Sequence, residues 1–225
     1  MRVARGLDVL HAVDAAPRPG MSATGLRLRQ QAFGLVREEG LVEAAYSYDI
    51  VGLEAPAAEV LHAGGQAFHA PRLLPESGRL TALACAVCTL GPKLEQRIHA
   101  LFSERRASLA LALDALGNEI LFEISRRVQD RMLADVKRRG LSMAGELRAG
   151  DPGLALEAQV GVLDLARSEL IGVRLTEGHL MHPLKSVSMM LGVGIDLPPA
   201  QWSRCDECPR RDKCGVVSRL SAAAQ

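Results

Sequence analysis

Three cysteines near the C-terminus form the most distinctive chemical pattern in the sequence. Cys205, Cys208 and Cys214 follow a C-x2-C-x5-C spacing. A two-residue spacer lets the thiolates of Cys205 and Cys208 reach one metal centre, and the segment through Pro209 can bring Cys214 to the same point. Iron-sulfur clusters and zinc both use such thiolate sets, so the spacing predicts a metal-binding tail. A disulfide or a set of unrelated surface thiols is the alternative.

The other two cysteines lie in an apolar segment that is typical of a buried strand. Cys85 and Cys88 occur within the run of residues 80–90. Side chains alternate between the two faces of a strand, so residues three apart point in opposite directions, and at most one of these thiols can join the tail cluster. We expect Cys88 to be this fourth ligand because it comes just before a turn at residues 89–92. The alternative is that both are small buried side chains and that a histidine, water or ligand takes the fourth position.

Composition and charge limit the classes of function. The chain has 225 residues, of which 48% are hydrophobic and 3% aromatic, which is enough for an aliphatic globular core. Lys and Arg total 27 against 26 Asp and Glu, so we expect neither nucleic acid nor a membrane as a partner. No stretch is long and apolar enough to span a bilayer, and His11, Asp14 and Pro17 interrupt the N-terminus where a signal peptide needs an apolar core. These features predict a cytoplasmic protein.

The apolar patterns predict a mixture of helices and strands. Residues 1–20 are typical of a loose or short helical lead-in, and Ser22 is a plausible N-cap for a helix that ends at Gly40. Apolar residues at three- and four-residue steps predict a long helix from Ser108 to about Arg139. Further helices are predicted at residues 92–102 and 157–170, and a loop at residues 147–156. The predicted strands cover residues 46–50, 68–74, 80–88, 172–175 and 186–193.

These elements divide the chain into three predicted parts. An N-terminal helical segment covers residues 1–40, an α+β domain covers residues 41–197, and a cysteine-cluster tail covers residues 198–225. The boundary before the tail is marked by Pro198 and Pro199, which block regular structure.

Residues 172–188 contain a longer motif whose order and spacing are more specific than any short pattern. Its positions are Leu175, Thr176, Glu177, Met181, Pro183, Ser186, Val187 and Ser188. The segment resembles the signature of the activation domain of cobalamin-dependent methionine synthase, in which Leu-Thr-Glu-Ser precedes a Met, a Pro and a Ser-Val-Ser. Weaker matches extend the resemblance over about residues 78–195. The cysteine tail resembles that of small stand-alone relatives found near corrinoid methyltransferases.

The resemblance implies a fold, a ligand and a partner. The family fold is α+β, with a twisted antiparallel sheet flanked by helices, and the family ligand is S-adenosylmethionine. In the full-length enzyme this ligand remethylates cobalamin after inactive cob(II)alamin has been reduced. The implied partner is therefore a corrinoid protein or corrinoid methyltransferase, which holds the cobalamin.

Four residues are candidates for contact with this ligand. Arg148 can pair with the methionine carboxylate, because a guanidinium matches two oxygens. Asp114 can bind an amino or hydroxyl group, and Thr176 and Glu177 lie in the motif where a strand ends in a turn. Solvated side chains on a loop and a helix are the alternative. In two places the chain departs from the family: no Pro-Gly-Tyr loop follows Arg148, and Gly178 replaces the motif serine.

These observations lead to one expected function and one alternative. We expect an accessory protein for corrinoid-dependent methyl transfer, which binds a corrinoid protein and S-adenosylmethionine. An iron-sulfur centre in its tail would support reductive reactivation of cobalt, with an electron donor that the sequence does not identify. The enzymatic role would be that of a reductive activase or a methyltransferase component. The alternative is a zinc-stapled structural or assembly subunit without redox or ligand-binding activity.

Overall fold

The structure is a computed structural model that describes residues 1–15 and 20–200. These ranges form nine strands and five α-helices. The strands are β1 (Arg2–Arg5), β2 (Ala45–Gly52), β3 (Val60–Ala63), β4 (Gln66–His69), β5 (Arg79–Thr89), β6 (Ser142–Leu147), β7 (Arg174–Leu175), β8 (Met181–His182) and β9 (Ser186–Ile195). The α-helices are α1 (Leu10–Ala15), α2 (Ala23–Glu38), α3 (Lys93–Ser103), α4 (Ala107–Arg138) and α5 (Gln159–Leu165). None of the described helices is long and apolar enough to cross a membrane.

Five strands form one antiparallel sheet in the order β1-β2-β5-β9-β6. Its two long central strands pair along their whole length, from Thr89 opposite Ser186 to Arg79 opposite Ile195. On its other side β9 pairs with β6 from Met190 onwards. No strand of the described chain pairs with residues 186–189 on that side, so the first half of β9 is an edge without a strand partner.

The sheet separates two apolar cores. On one face, helices α1 to α4 pack against side chains that include Tyr48 and Met189. On the other face, the β3–β4 hairpin and α5 pack against side chains that include Leu83 and Met190. Helices on one face of the sheet and a mixed layer on the other give an α+β fold, as predicted.

The long helix α4 confirms the prediction of an amphipathic helix from about Ser108 to Arg139. All the apolar residues predicted for its inner face are buried: Leu109, Leu113, Leu116, Ile120, Ile124, Val128 and Met132. Most of these residues are four apart, and four residues turn through more than one full circle of a helix with 3.6 residues per turn. The buried face therefore drifts around the helix axis, so that different sides of α4 meet the sheet at its two ends.

Helix α2 forms as its capping signals predict. The Ser22 side chain accepts a hydrogen bond from the Gly25 N–H at 3.1 Å, and the helix ends at Glu38. Gly40 follows with a φ of +58°, a left-handed conformation that favours glycine.

Three predictions for individual elements need correction. The lead-in is helical at α1 but forms a strand at β1, because Arg2–Arg5 add to the edge of β2. The strand predicted at residues 68–74 ends at His69 and is followed by a 3-10 turn at Pro71–Leu73, since proline cannot donate to a ladder. The helix predicted at residues 157–170 is interrupted, because α5 ends at Leu165, Arg167 has a left-handed φ of +55°, and a separate 3-10 turn follows at Ser168–Ile171.

Candidate ligand-binding site

Two cationic side chains, one directly before β9 and one directly after β6, reach α4. The first is Lys185, which lies directly before β9. Its ammonium nitrogen is 2.7 Å from Asp114 Oδ1 and 2.7 Å from Asn118 Oδ1, one helical turn apart on α4. The Lys185 side chain is 12% exposed. The structure therefore places Asp114, a predicted ligand-binding residue, in an ion pair with a lysine that sequence reasoning missed.

A glycine on α4 makes room for this lysine. A Cβ atom at Gly117 would lie 2.6 Å from Leu94 Cδ2 of α3 and 3.4 Å from Lys185 Cε. Glycine is a poor helix former, so its presence in the middle of α4 has a packing reason. The close approach lets α3 and the lysine stem share one side of the helix.

The second cationic side chain is Arg148, which directly follows β6. Its Nε donates to Glu146 Oε1 at 2.9 Å, and one terminal nitrogen donates to Ser125 Oγ of α4 at 3.3 Å. The Arg148 side chain is 17% exposed. Its main-chain N–H donates to Asp151 Oδ2 at 3.0 Å, and the Asp151 N–H donates back to the Arg148 carbonyl oxygen at 2.9 Å. These bonds fix the predicted Arg148 at the start of a closed loop.

The two cations define one surface of α4. Their partners Asn118 and Ser125 are seven residues apart, so they lie on the same side of the helix, roughly 10 Å apart along its axis. Residues 186–189 of β9 lie beside this surface and are buried, although no strand covers them in the described chain. We call this arrangement the edge site: Lys185 and Asp114 at one end, and Arg148, Glu146 and Ser125 at the other.

The predicted residues Thr176 and Glu177 lie elsewhere, in the turn of the β7–β8 hairpin. The Thr176 hydroxyl accepts a hydrogen bond from the Leu180 N–H at 3.2 Å, and the Thr176 N–H donates to the Leu180 carbonyl oxygen at 2.9 Å. Both Thr176 and Glu177 are exposed. The structure gives the threonine a clear part in closing the turn and does not bring either residue into contact with Arg148.

A carboxylate on α3 fixes the hairpin next to the edge site. Glu95 accepts a hydrogen bond from the Leu184 N–H at 2.5 Å and lies 3.4 Å from His182 Nδ1. The family-like motif therefore extends from the hairpin turn to the start of β9. Lys185 lies within this motif, which positions it next to α4. A cleft of about 760 Å³ opens at the same end of the sheet, and Arg174 and His182 contribute to its lining.

The two described cysteines point to opposite sides of the sheet, as the strand pattern predicts. Cys88 belongs to the helix-side core and Cys85 to the other core, and both are 0% exposed. Burial raises the pKa of each thiol to about 12. Within residues 1–15 and 20–200, no three His, Cys, Asp or Glu side chains are grouped as a metal site. The burial of Cys88 favours the alternative that it is a small core side chain.

The tail cysteines Cys205, Cys208 and Cys214 lie outside the described residues. The metal centre that they predict therefore stays a prediction, and so does its completion by Cys88.

Sequence reasoning missed three members of the edge site: Lys185, Glu146 and Ser125. A signal existed for the first two. Lys185 lies inside the family-like motif, and Glu146 lies two residues before Arg148, a spacing that places both side chains on one side of an extended segment. Ser125 carried no local signal, because its contact with Arg148 joins positions 23 residues apart.

The sheet order and the helical layer together define an α+β fold. The structure is similar to the crystal structure of the MetH reactivation domain bound to AdoHcy, with a TM-score of 0.64. The similarity covers 99% of this chain and 90% of that chain, at 12% sequence identity. No protein-family model and no curated protein matches the sequence. The structural likeness confirms the predicted α+β fold and its resemblance to the methionine synthase domain.

Proposed function

We propose that this protein binds S-adenosylmethionine and its product S-adenosylhomocysteine, and that it acts with a corrinoid protein in methyl transfer. The observation that carries this proposal is the likeness, over 99% of the chain, to a reactivation domain whose crystal structure contains AdoHcy. The motif at residues 172–188 supports it from the sequence.

The edge site is the proposed place of binding. Arg148 would pair with the carboxylate of the ligand, because its guanidinium is already oriented by Ser125 and Glu146. Lys185 and Asp114 would contact polar groups towards the other end of the ligand. The exposed hairpin residues Thr176 and Glu177 would then contact the ligand or the partner from outside. When bound, S-adenosylmethionine supplies an activated methyl group on a positively charged sulfur.

The work of this chain in such a reaction is binding and orientation. The methyl acceptor belongs to the corrinoid of the partner, so no nucleophile or general base is required from the edge site. Two fixed cations, whose partners on α4 lie roughly 10 Å apart along the helix axis, are suited to hold one elongated ligand in a single direction. A single direction would present the methyl group to the partner.

The tail adds a proposed metal centre. Cys205, Cys208 and Cys214 would hold an iron-sulfur cluster that delivers an electron to cobalt, since such clusters reach low potentials. A zinc ion at the same thiolates would instead stabilise the tail without redox chemistry. Anaerobic purification followed by quantification of iron, sulfide and zinc separates the two. Iron and sulfide in equal amounts support the redox role, and stoichiometric zinc without iron contradicts it.

Calorimetric titration with S-adenosylhomocysteine tests the ligand proposal. We expect saturable binding by the full chain, and a loss of affinity of about tenfold or more in Arg148→Ala, the size expected for one hydrogen-bonded charge pair. Arg126→Ala is the matched control, because Arg126 also lies next to acidic residues but on the exposed side of α4. Absence of binding by the unmodified protein at millimolar ligand would overturn the proposal.

A further inference from the structure

We propose that Glu146 is a second recognition residue of the edge site. Its carboxylate accepts hydrogen bonds from the ammonium group of the ligand, while Arg148 donates hydrogen bonds to the ligand carboxylate. The inference deepens the proposed function and rests on it. It assigns the amino-acid end of the ligand, which carries both charges on neighbouring groups, to one acidic and one basic side chain that already lie side by side.

The geometry of the pair matches such a ligand. Glu146 Oε1 is 2.9 Å from Arg148 Nε and 2.8 Å from a terminal nitrogen of the same guanidinium. An α-amino acid likewise holds its ammonium and its carboxylate within a few ångströms of each other. With the ligand antiparallel to the pair, its ammonium group faces Glu146 and its carboxylate faces Arg148. The four groups then form a square in which positive and negative charges alternate.

Partial burial strengthens this arrangement. The side chains of Arg148 and Glu146 are 17% and 23% exposed, so water screens their charges less than at an open surface. Ser125, which is 3% exposed, accepts a hydrogen bond from the same terminal nitrogen of Arg148 that lies 2.8 Å from Glu146 Oε1. Glu146 contacts the guanidinium itself, and the Asp151 carboxylate accepts a hydrogen bond from the main-chain N–H of Arg148.

The backbone of β6 contains a feature that aims Glu146. The pairing of β6 with β9 shifts register between Ala144 and Leu147, which is a bulge at the sheet edge. Gly145 lies inside the shift with a φ of +68°, a conformation that glycine adopts without strain. Bulges redirect side chains at sheet edges, and here the redirected side chain is the acid next to Arg148.

The pair predicts selectivity that an arginine alone would not give. An isolated arginine binds any carboxylate, whereas a ligand without an ammonium group would bring its carboxylate close to Glu146 without compensation. The site should therefore prefer ligands with an α-amino acid end. An analogue that lacks both charged groups should be insensitive to the pair.

The test compares two ligands and three proteins. The ligands are S-adenosylhomocysteine and 5′-methylthioadenosine, which lacks the amino-acid end. The proteins are the full chain, Glu146→Gln, and the control Glu38→Gln, which removes one exposed carboxylate of α2. We expect Glu146→Gln to bind S-adenosylhomocysteine about tenfold more weakly and 5′-methylthioadenosine as the full chain does. Glu38→Gln should bind both ligands as the full chain does.

The outcomes separate the two proposals. If the full chain does not bind S-adenosylhomocysteine, the proposed function and this inference both fall. If the full chain binds it and Glu146→Gln binds it equally well or more tightly, the proposed function stands and Glu146 is not a recognition residue. An equal loss for both ligands would likewise overturn the inference, because it would indicate general damage to the site. If Glu146→Gln does not fold, Glu146→Asp is the second variant. Its shorter side chain keeps the negative charge but moves it away from the ligand, and we again expect a loss of affinity for S-adenosylhomocysteine only.

Discussion

The buried carboxylate of Asp135 should contribute about 2–3 kcal/mol to the free energy of unfolding. Asp135 lies near the end of α4 and is 8% exposed. Its Oδ2 accepts a hydrogen bond at 2.7 Å from the hydroxyl of Tyr48, which is 1% exposed. Arg2 and Arg138 also pair with it. Asp135 therefore ties the edge strand β1 and the inner strand β2 to the long helix.

The magnitude follows from the burial of these partners. A hydrogen bond to a charged group is worth about 1.5–3 kcal/mol, and a buried hydroxyl left without a partner costs a similar amount. The side chains of Arg2 and Arg138 are more than half exposed, so solvent screens their ion pairs and they add little. The Tyr48–Asp135 bond therefore dominates the expected loss in Asp135→Ala.

The same network predicts a pH dependence. Burial acts to raise the pKa of Asp135, but the hydrogen bonds from Tyr48 and Arg2 outweigh it and hold this pKa below the ordinary value of 3.8. A depressed carboxyl pKa contributes stability above the unfolded value, and this stability is lost as pH falls through the folded value. The stability difference between the unmodified protein and Asp135→Asn should thus be constant above about pH 5 and shrink below about pH 4.

Urea unfolding of four proteins measures the effect. The unmodified protein, Asp135→Ala, Tyr48→Phe and the double variant form a cycle that isolates the energy of the pair. We expect a coupling energy of at least about 1.5 kcal/mol. A coupling energy under about 0.5 kcal/mol would refute the reasoning, because a buried charged bond that is intact cannot be so weak.

Three further predictions concern packing and the thiols. Gly117→Ala should lower the free energy of unfolding by up to about 2 kcal/mol, because overpacking against Leu94 Cδ2 at 2.6 Å outweighs the gain of about 1 kcal/mol in helix propensity; a net gain in urea unfolding would contradict this. Gly194→Ala should cost about 3 kcal/mol or more in the same assay, since its Cβ would lie 2.0 Å from the rigid Arg79 carbonyl oxygen. With the three tail cysteines changed to serine, the native protein should not react with a thiol reagent at pH 8 and should show two thiols after unfolding. Burial raises the pKa of Cys85 and Cys88 to about 12, so rapid native labelling would show that the cores open.

Local periodicity explains which elements the sequence predicts well. Three signals each lie within a short segment of the sequence. They are the four-residue steps of α4, the Ser22 cap of α2 and the continuous apolar run of β5. The alternation rule also separates Cys85 from Cys88 correctly, because it depends on strand geometry alone.

The missed elements depend on partners that are distant in sequence. Strand β1 has four residues, and its partners on β2 are at least 40 positions away in the chain. Strand β6 contains Gly145 and Glu146, which are poor strand formers, and it forms because β9 offers an edge. The site follows the same rule: the motif pointed to Thr176 and Glu177, whereas the partners of Lys185 and one partner of Arg148, Ser125, lie on α4.

The pairing of β5 with β9 has a consequence for the chain while the ribosome is still synthesising it. Thr89 and Ser186 are neighbours across the sheet but 97 residues apart in the chain. While the ribosome is still making the segment between them, β5 has an uncovered flank of apolar residues that can bind to other nascent chains. We therefore expect that a chain shortened before residue 186 aggregates, and that the protein reaches its native state only after β9 has left the ribosome.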